Sequence, residues 1–232
     1  MYRIVKMHFL KNTVLILLLF SFSFATKAQE NNDYEYNSEI IWGINKNTNG
    51  GLIGGVFIKY GKRIKPKLYT SYGLELSNVK HPKEQRIPTL TGSSYIDQKV
   101  NYLYAIRLQY GIEKILFKKA PQQGAQVNAL VAAGPTFGVV APYFISVNQD
   151  NEILGSAKLF HGLGDSKIKL GANIKTAVNF EFGTFKRNVT GFEFGFMLEA
   201  FSDRIIILDP RKATNKSVYT SAYISIFYGR RK

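Results

Sequence analysis

The chain lacks cysteine and has few acidic residues and no long apolar run. Its 232 residues include 16 aspartates and glutamates against 31 lysines and arginines, a formal charge of +15. The absence of cysteine excludes disulfides, thiol chemistry and cysteine-based metal sites. No apolar run reaches the roughly 20 residues that a comfortable membrane-spanning helix requires. The sequence gives no reason to expect a cofactor or a metal cluster.

The excess of positive charge raises the question of nucleic-acid binding. The basic residues form neither a helical stripe nor a motif on a β-platform, and four of them fall in the N-terminal segment: Arg3, Lys6, Lys11 and Lys27. We therefore predict that nucleic acid is not a partner.

The N-terminal segment has the order of a secretory signal peptide. Basic residues precede the apolar run Val14–Phe24, and the small residues Ala25 and Ala28 follow it. This pattern predicts a signal peptide over residues 1–28, cleaved after Ala28. A retained anchor helix is the alternative, and the run is short for one. Because no cysteine stands at the cleavage site, a lipoprotein is not expected.

The strongest pattern lies in Leu170–Phe201, where apolar and polar residues alternate along two runs joined by a short turn. This alternation is typical of β-strands, and each run has the 9–11 residues that a tilted strand needs to cross a bilayer. Bulky apolar residues, many of them aromatic, occupy one face, and charges and glycines occupy the other. A membrane barrel turns such an apolar face outward and the polar face inward.

The rest of the chain supplies six more candidate strands. An even number of strands closed into a barrel leaves no unpaired edge. We therefore predict an all-β fold, an eight-stranded antiparallel transmembrane β-barrel of up-and-down order over residues 39–232, after a flexible lead-in at 29–38. The predicted strands are Glu39–Asn45, Leu52–Tyr60, Leu68–Val79, Asn101–Ile112, Gln126–Val140, Lys167–Phe182, Val189–Phe201 and Ser217–Tyr228.

Several segments carry a resemblance to a known group of proteins. They are Trp42–Gly51, Asn78–Glu84, Asn215–Ser221 and the terminal Tyr223–Tyr228. With the export signal and the eight strands, they resemble the small outer-membrane β-barrel proteins of Bacteroidota that are grouped with PorT-like barrels. The resemblance implies an outer-membrane location. Because some barrels of this group serve type IX secretion or gliding, it also implies an accessory role in such machinery.

Charged residues on the inward faces of the predicted strands form the first candidate site. They can be interpreted as an ion path or as a plug of cross-paired charges. An eight-stranded barrel is just wide enough for side chains to fill it, which favours the plug. The predicted lumen network consists of Lys59, Glu75, Arg107, Lys175, Glu181, Glu193 and Glu199.

Basic residues in the predicted periplasmic links and at the C-terminus form the second candidate site. Two readings are open: long basic side chains anchor a barrel at the lipid headgroups, or they dock an acidic protein of the periplasm or of an envelope complex. Glu113 is the only acid in those links. The predicted rim consists of Lys62, Arg63, Lys65, Lys67, Lys114, Lys118, Lys119, Lys186, Arg187, Arg230, Arg231 and Lys232.

The predicted function is a non-enzymatic outer-membrane barrel that acts as a structural or partner-docking component, with outer-membrane lipids around it. Two alternatives remain. One is a lipid A-modifying enzyme, since His161 has Ser156, Asp165 and Ser166 nearby in sequence, as acyl-ester hydrolysis would require. The other is a soluble periplasmic ligand-binding barrel.

Overall fold

The computed structural model describes residues 36–51, 53–118, 124–149, 152–157, 162–182 and 187–232. The predicted signal peptide and residues 29–35 of the lead-in lie outside the described residues. No helix in the described ranges is long and apolar enough to cross a membrane. The strands are β1 (Ser38–Asn47), β2 (Gly55–Lys65), β3 (Leu68–Val79), β4 (Arg86–Pro88), β5 (Ser94–Ile96), β6 (Asn101–Phe117), β7 (Gln126–Pro142), β8 (Ile145–Val147), β9 (Ile153–Ser156), β10 (Lys167–Phe182), β11 (Asn188–Phe201) and β12 (Val218–Arg231).

Eight of these strands close into one antiparallel barrel. Their order around the barrel is β1, β2, β3, β6, β7, β10, β11 and β12, and β12 pairs with β1 to complete the circle. The closure is direct, since Ile40 of β1 faces Tyr60 of β2 on one side and Arg230 of β12 on the other. The prediction of an eight-stranded antiparallel barrel in up-and-down order is confirmed.

The alternation of the sequence becomes the two faces of the barrel wall. Charged, amide and small side chains point inward and are buried, together with apolar ones such as Tyr69, Leu103 and Phe227, whereas large apolar side chains on every barrel strand point outward. The outward side chains cover every barrel strand and remain 36–71% exposed; examples are Trp42, Ile44, Ile58, Tyr60, Tyr72, Leu74, Leu108, Tyr110, Val131, Ile174, Val178, Phe194, Phe196, Ile224 and Ile226. We call this surface the outer belt.

The two ends of the barrel differ. At the terminal end, where β1 begins and β12 finishes, the strands are joined by shorter links. At the loop end, three long loops span residues 80–100, 143–166 and 202–217. The first two long loops contain the short hairpins β4–β5 and β8–β9. The hairpins were not predicted, because strands of three or four residues have too little alternation to read.

Side chains close both ends. At the loop end, loop 202–217 folds into the opening of the barrel, which we call the mouth. Ile205 and Ile207 are buried there against Leu103 and Phe201. At the terminal end, the Tyr36 ring stacks on Tyr69 with centroids 4.5 Å apart. Loop 202–217 therefore caps one opening, and Tyr36, two residues before β1, caps the other.

Three of the predicted strands stop well short of the terminal end. Strand β2 continues to Lys65, β6 to Phe117 and β12 to Arg231. Each extension contains charged residues, which the sequence reading took as the start of a link. The predicted lead-in is also too long, since Tyr36 is buried in the barrel and Ser38 begins β1.

Candidate functional site: a charged lumen and a basic rim

The loop-end half of the lumen is organised around Arg107. Its guanidinium binds Glu199 in a bidentate manner, with Nε 2.7 Å from Oε1 and Nη2 2.9 Å from Oε2. Its Nη1 donates to Glu75 Oε1 at 2.7 Å, and Asn45 donates to the same oxygen at 2.9 Å. This two-sided arrangement uses the planar fork of arginine, which a lysine could not reproduce.

Lys175 forms the second cationic centre of this half. Its Nζ lies 2.8 Å from Glu193 Oε1 and 3.8 Å from Glu75 Oε2. Tyr223 donates its hydroxyl to Glu193 Oε1 at 2.7 Å, and the Lys175 ammonium lies 4.8 Å from the centroid of the Tyr223 ring. Gly195 makes room for this ring, because a Cβ there would lie 2.6 Å from the Tyr223 hydroxyl.

The terminal-end half gathers three more glutamates. Lys59 Nζ lies 2.6 Å from Glu113 Oε2, and Arg231 pairs with both Glu39 and Glu181. Oxygens of these three carboxylates lie within 4.8 Å of one another, as a metal site would require.

Those oxygens already have N–H partners within the protein. Asn128 Nδ2 donates to Glu113 at 2.9 Å and to Glu181 at 2.7 Å, and Gln126 and Asn179 donate to the same two carboxylates. Such saturation is typical of a structural ion-pair network, in which every buried charge needs hydrogen-bond partners. The cluster is organised to hold its own cations.

The space between these groups is small. A cavity bordered by Lys59, Gln109, Leu130 and Lys175 measures about 10 Å³. A single water needs at least about 10–15 Å³ measured in this way. The described side chains therefore fill this part of the lumen, as expected for a barrel of eight strands.

All seven residues of the predicted lumen network point inward and are buried, and they pair largely with one another. The sequence reading missed three further members: Glu39, Glu113 and Arg231. The placement of Glu113 in a link is wrong, because β6 continues and turns it inward to Lys59. Continued alternation through Glu113 and Ile115 was the signal that could have revealed it.

The placement of Arg231 in the rim is also wrong. Arg231 lies within β12, and its side chain is only 8% exposed. Its guanidinium carbon lies 3.9 Å from the centroid of the Tyr36 ring, so Arg231 joins the cap of the terminal end to the lumen network. An inward strand position next to Glu39 and Glu181 accounts for its burial.

The remaining rim residues divide by the direction in which they point. Lys62, Lys114 and Arg230 are exposed, outward-facing strand residues at the terminal edge of the outer belt, and we call them the outward row. Others lie where strands end or in the links, and we call them the end group: Lys65, Lys67, Lys118, Arg187 and Lys232. Arg63 is half-buried on the inward side of β2. Lys119 and Lys186 lie outside the described residues.

The described structure places only part of the residues of the enzyme alternative. His161 lies outside the described residues. Ser156 ends β9, and Asp165 belongs to the 3₁₀ turn Leu163–Asp165. The other histidine of the loops, His81, is buried, with Nε2 3.2 Å from the Thr214 carbonyl and Nδ1 accepting from the Lys83 amide at 3.1 Å. Its two ring nitrogens thus join two loops, which is a structural role.

No protein-family model matches the chain, and no curated protein sequence matches it significantly. Among solved structures it is similar to Neisserial surface protein A (13% identity, 84% of this chain and 96% of that one, TM-score 0.41). It is also similar to Ail of Yersinia pestis (10%, 85% and 99%, TM-score 0.39). A third is the N-terminal β-barrel domain of Pseudomonas aeruginosa OprF (8%, 85% and 98%, TM-score 0.36). The fold of this chain rests on its own strand pairing. The resemblance to PorT-like barrels of Bacteroidota stays a prediction.

Proposed function

We propose that this protein is a non-enzymatic barrel of the outer membrane that docks an acidic partner at its terminal end. The observation that carries the membrane location is the outer belt. Soluble monomers rarely expose contiguous apolar patches larger than a few hundred Å², whereas here every barrel strand presents large apolar side chains outward. Phe196, for example, is 71% exposed. Lipid around the barrel removes that surface from water, which speaks against the soluble ligand-binding alternative.

The interior supports a closed barrel over a pore or an enzyme. Ten charged side chains of the lumen, six acids and four bases, are paired and packed together, and both openings are covered. A catalytic residue needs access to its substrate, and a pore needs water. The network meets neither need, and its role is to plug and stiffen the barrel.

The division of the rim supports two roles for its basic residues. The outward row continues the lipid-facing side of the strands, where lysine and arginine reach the headgroups and anchor a barrel. The end group lies beyond the belt, at strand ends and in the links. Five cations at one end create a field that attracts an acidic surface and makes its binding sensitive to salt. We place the end group at the periplasmic side.

The setting that fits this proposal is an envelope complex. The resemblance to barrels of Bacteroidota supports an accessory role in type IX secretion or gliding, with the partner a periplasmic or inner-membrane-linked protein. The predicted signal peptide supports export, with a mature chain that starts at Gln29. N-terminal sequencing of the protein from outer-membrane fractions should begin at Gln29, and a retained Met1 would contradict export by cleavage.

Two matched triple variants test the docking role. The end variant carries Lys65→Glu, Arg187→Glu and Lys232→Glu, and the row variant carries Lys62→Glu, Lys114→Glu and Arg230→Glu. Both change the formal charge by the same amount. The two variants and the wild type are purified gently from native membranes, and the proteins retained at low and moderate salt are identified.

The end variant should insert normally and lose companions that the wild type retains. The row variant should insert less well, and the inserted fraction should keep those companions. If the end variant keeps the same companions at moderate salt, the end group is only an anchor and the docking role is wrong.

A further inference from the structure

A cavity of about 340 Å³ at the loop end belongs to neither the lumen network nor the rim. It opens where the first residues of β6 and β10 meet the last residues of β7 and loop 202–217. Val140, Pro142, Ile205 and Ile206 supply apolar walls. The Asn101 amide donates to the Ile206 carbonyl at 2.8 Å and thereby holds one wall in place. The volume falls in the range of about 300–1,000 Å³ that is usual for small-molecule sites.

Three cations line this cavity against one acid. They are Lys167, Lys169 and Arg204, and the acid is Asp165. Lys169 is engaged, since its Nζ lies 2.6 Å from Asp203 Oδ2. The hydrogen bond from Lys169 lowers the pKa of the Asp203 carboxyl, so the pair is ionised at neutral pH.

The other two cations are not neutralised. The side chains of Lys167 and Arg204 make no ion pair with any residue in the described part of the chain. Unneutralised charge in a concave site focuses the field and concentrates anions there. The cavity thus combines apolar walls with two cations available to a ligand.

We propose that this cavity binds a small phosphorylated sugar from the external solution. The apolar walls suit the C–H faces of a sugar ring, and Lys167 and Arg204 suit its phosphates. Lys167 and Lys169 point into the mouth, and Ile168 and Leu170, which alternate with them along β10, point outward. Because the cations face the mouth and not the outer belt, we expect the ligand to come from solution. This site is independent of the docking role at the other end, and its access to the external solution rests on the proposed membrane location and orientation.

Isothermal titration of the full chain in detergent micelles tests the proposal with three probes: glucose 1,6-bisphosphate, glucose and inorganic phosphate. The wild type should bind the bisphosphate in preference to both other probes. The double variant Lys167→Gln with Arg204→Gln should bind the bisphosphate at least about tenfold more weakly, since it loses two charge-assisted contacts. The matched control, Lys83→Gln with Lys212→Gln, removes the same charge from loop-end positions outside the cavity and should bind like the wild type.

A third variant should gain affinity. Asp165→Asn removes the acid that opposes an anion in the cavity, and binding should tighten about two- to fivefold, the range of an exposed charge interaction. Equal weakening in the cavity and control variants would overturn the site in favour of diffuse surface charge. Absence of bisphosphate binding by the wild type would overturn it as well. Inorganic phosphate binding as tightly as the bisphosphate would overturn the assignment of a sugar ligand.

Discussion

The two faces of the same eight strands follow opposite rules. Inside, charged side chains are buried, and Glu75, Glu193 and Glu199 are each at most 2% exposed. Outside, the exposed side chains are aliphatic and aromatic. A soluble barrel has the reverse arrangement. The comparison teaches that burial alone does not predict polarity here, which agrees with the proposed membrane location, in which the solvent around the belt is itself apolar.

The faces also differ in how they tolerate change. Inside, the charged side chains pair with specific partners, so removing one member leaves the others buried without their counter-charge. Outside, in the proposed membrane setting, lipid accepts any apolar shape and penalises charge by depth. Substitutions on the inner face should therefore depend on partners, and substitutions on the outer face should depend on position along the strand.

The largest effect is expected for Arg107→Ala on the inner face. It leaves Glu75 and Glu199 without their shared cation, and breaking a buried ion pair costs about 3–5 kcal/mol. The free energy of unfolding in urea, measured in lipid bilayers or micelles, should fall by that amount. A triple variant, Arg107→Met with Glu75→Gln and Glu199→Gln, should recover most of the loss. An Arg107→Ala protein as stable as the wild type would contradict a partner-dependent interior.

On the outer face, we expect the position of a substitution along the strand to decide how much folding free energy it costs. Phe194→Arg places a charge in the middle of β11 and should cost about 2–4 kcal/mol of folding free energy, because the proposed membrane location puts it near the centre of the bilayer. Thr190→Arg, on the same face of the same strand near the terminal edge, should cost about 0–1 kcal/mol. Equal costs for the two substitutions in bilayers would contradict a lipid-facing belt.

At the mouth of the barrel, loss of the Asn215 side chain should destabilise loop 202–217. Its side chain accepts from the amides of Ile207 and Leu208 and donates to the Leu208 carbonyl at 2.7 Å. Asn215→Ala leaves these groups without partners, at a cost of about 1–3 kcal/mol. Amide exchange in loop 202–217 should accelerate, while the barrel strands stay protected. The neighbouring Thr214→Ala should leave exchange unchanged, and equal acceleration in both would contradict this role of Asn215.

The smallest effect concerns pH at the same loop. Arg211 lowers the pKa of Asp209 to about 2, below its ordinary value near 3.8, through hydrogen bonds to the carboxylate. A lowered pKa stabilises the folded loop at pH values above the ordinary pKa, and that contribution is lost as the pH falls toward 2. Pepsin cleavage in loop 202–217 should therefore increase between pH 4 and 2. Asp209→Asn should remove this pH dependence, and an unchanged dependence would exclude Asp209 as its source.

The sequence predicted the wall of the barrel well because alternation is a local signal. The bounds of β3 and β10 were predicted to the residue. Alternation also told which side chains share the lumen. It could not tell which of them pair, since Arg107 and Glu199 are 92 residues apart and meet only through the register of the closed barrel.

The errors at Glu113 and Arg231 share one cause, which is that charges near strand ends were interpreted as links. Glu113 and Arg231 continue their strands and point inward because each meets an opposite charge inside the barrel. Those partners, Lys59 and Glu181, lie far away in sequence. The cavity at the loop end likewise could not be predicted from the sequence. Lys167 and Arg204 come from different segments, and only the folding of loop 202–217 into the mouth brings them to one cavity.

The plugged lumen is tested most directly by the conductance of the purified wild-type protein in planar lipid bilayers. The paired charges of the lumen, the cavity of about 10 Å³ among them and the caps of Tyr36 and Ile207 oppose a continuous path for water. We predict insertion without steady unitary currents at any applied voltage that the bilayer withstands. Steady, large single-channel currents would contradict the plugged interior on which the proposed function depends.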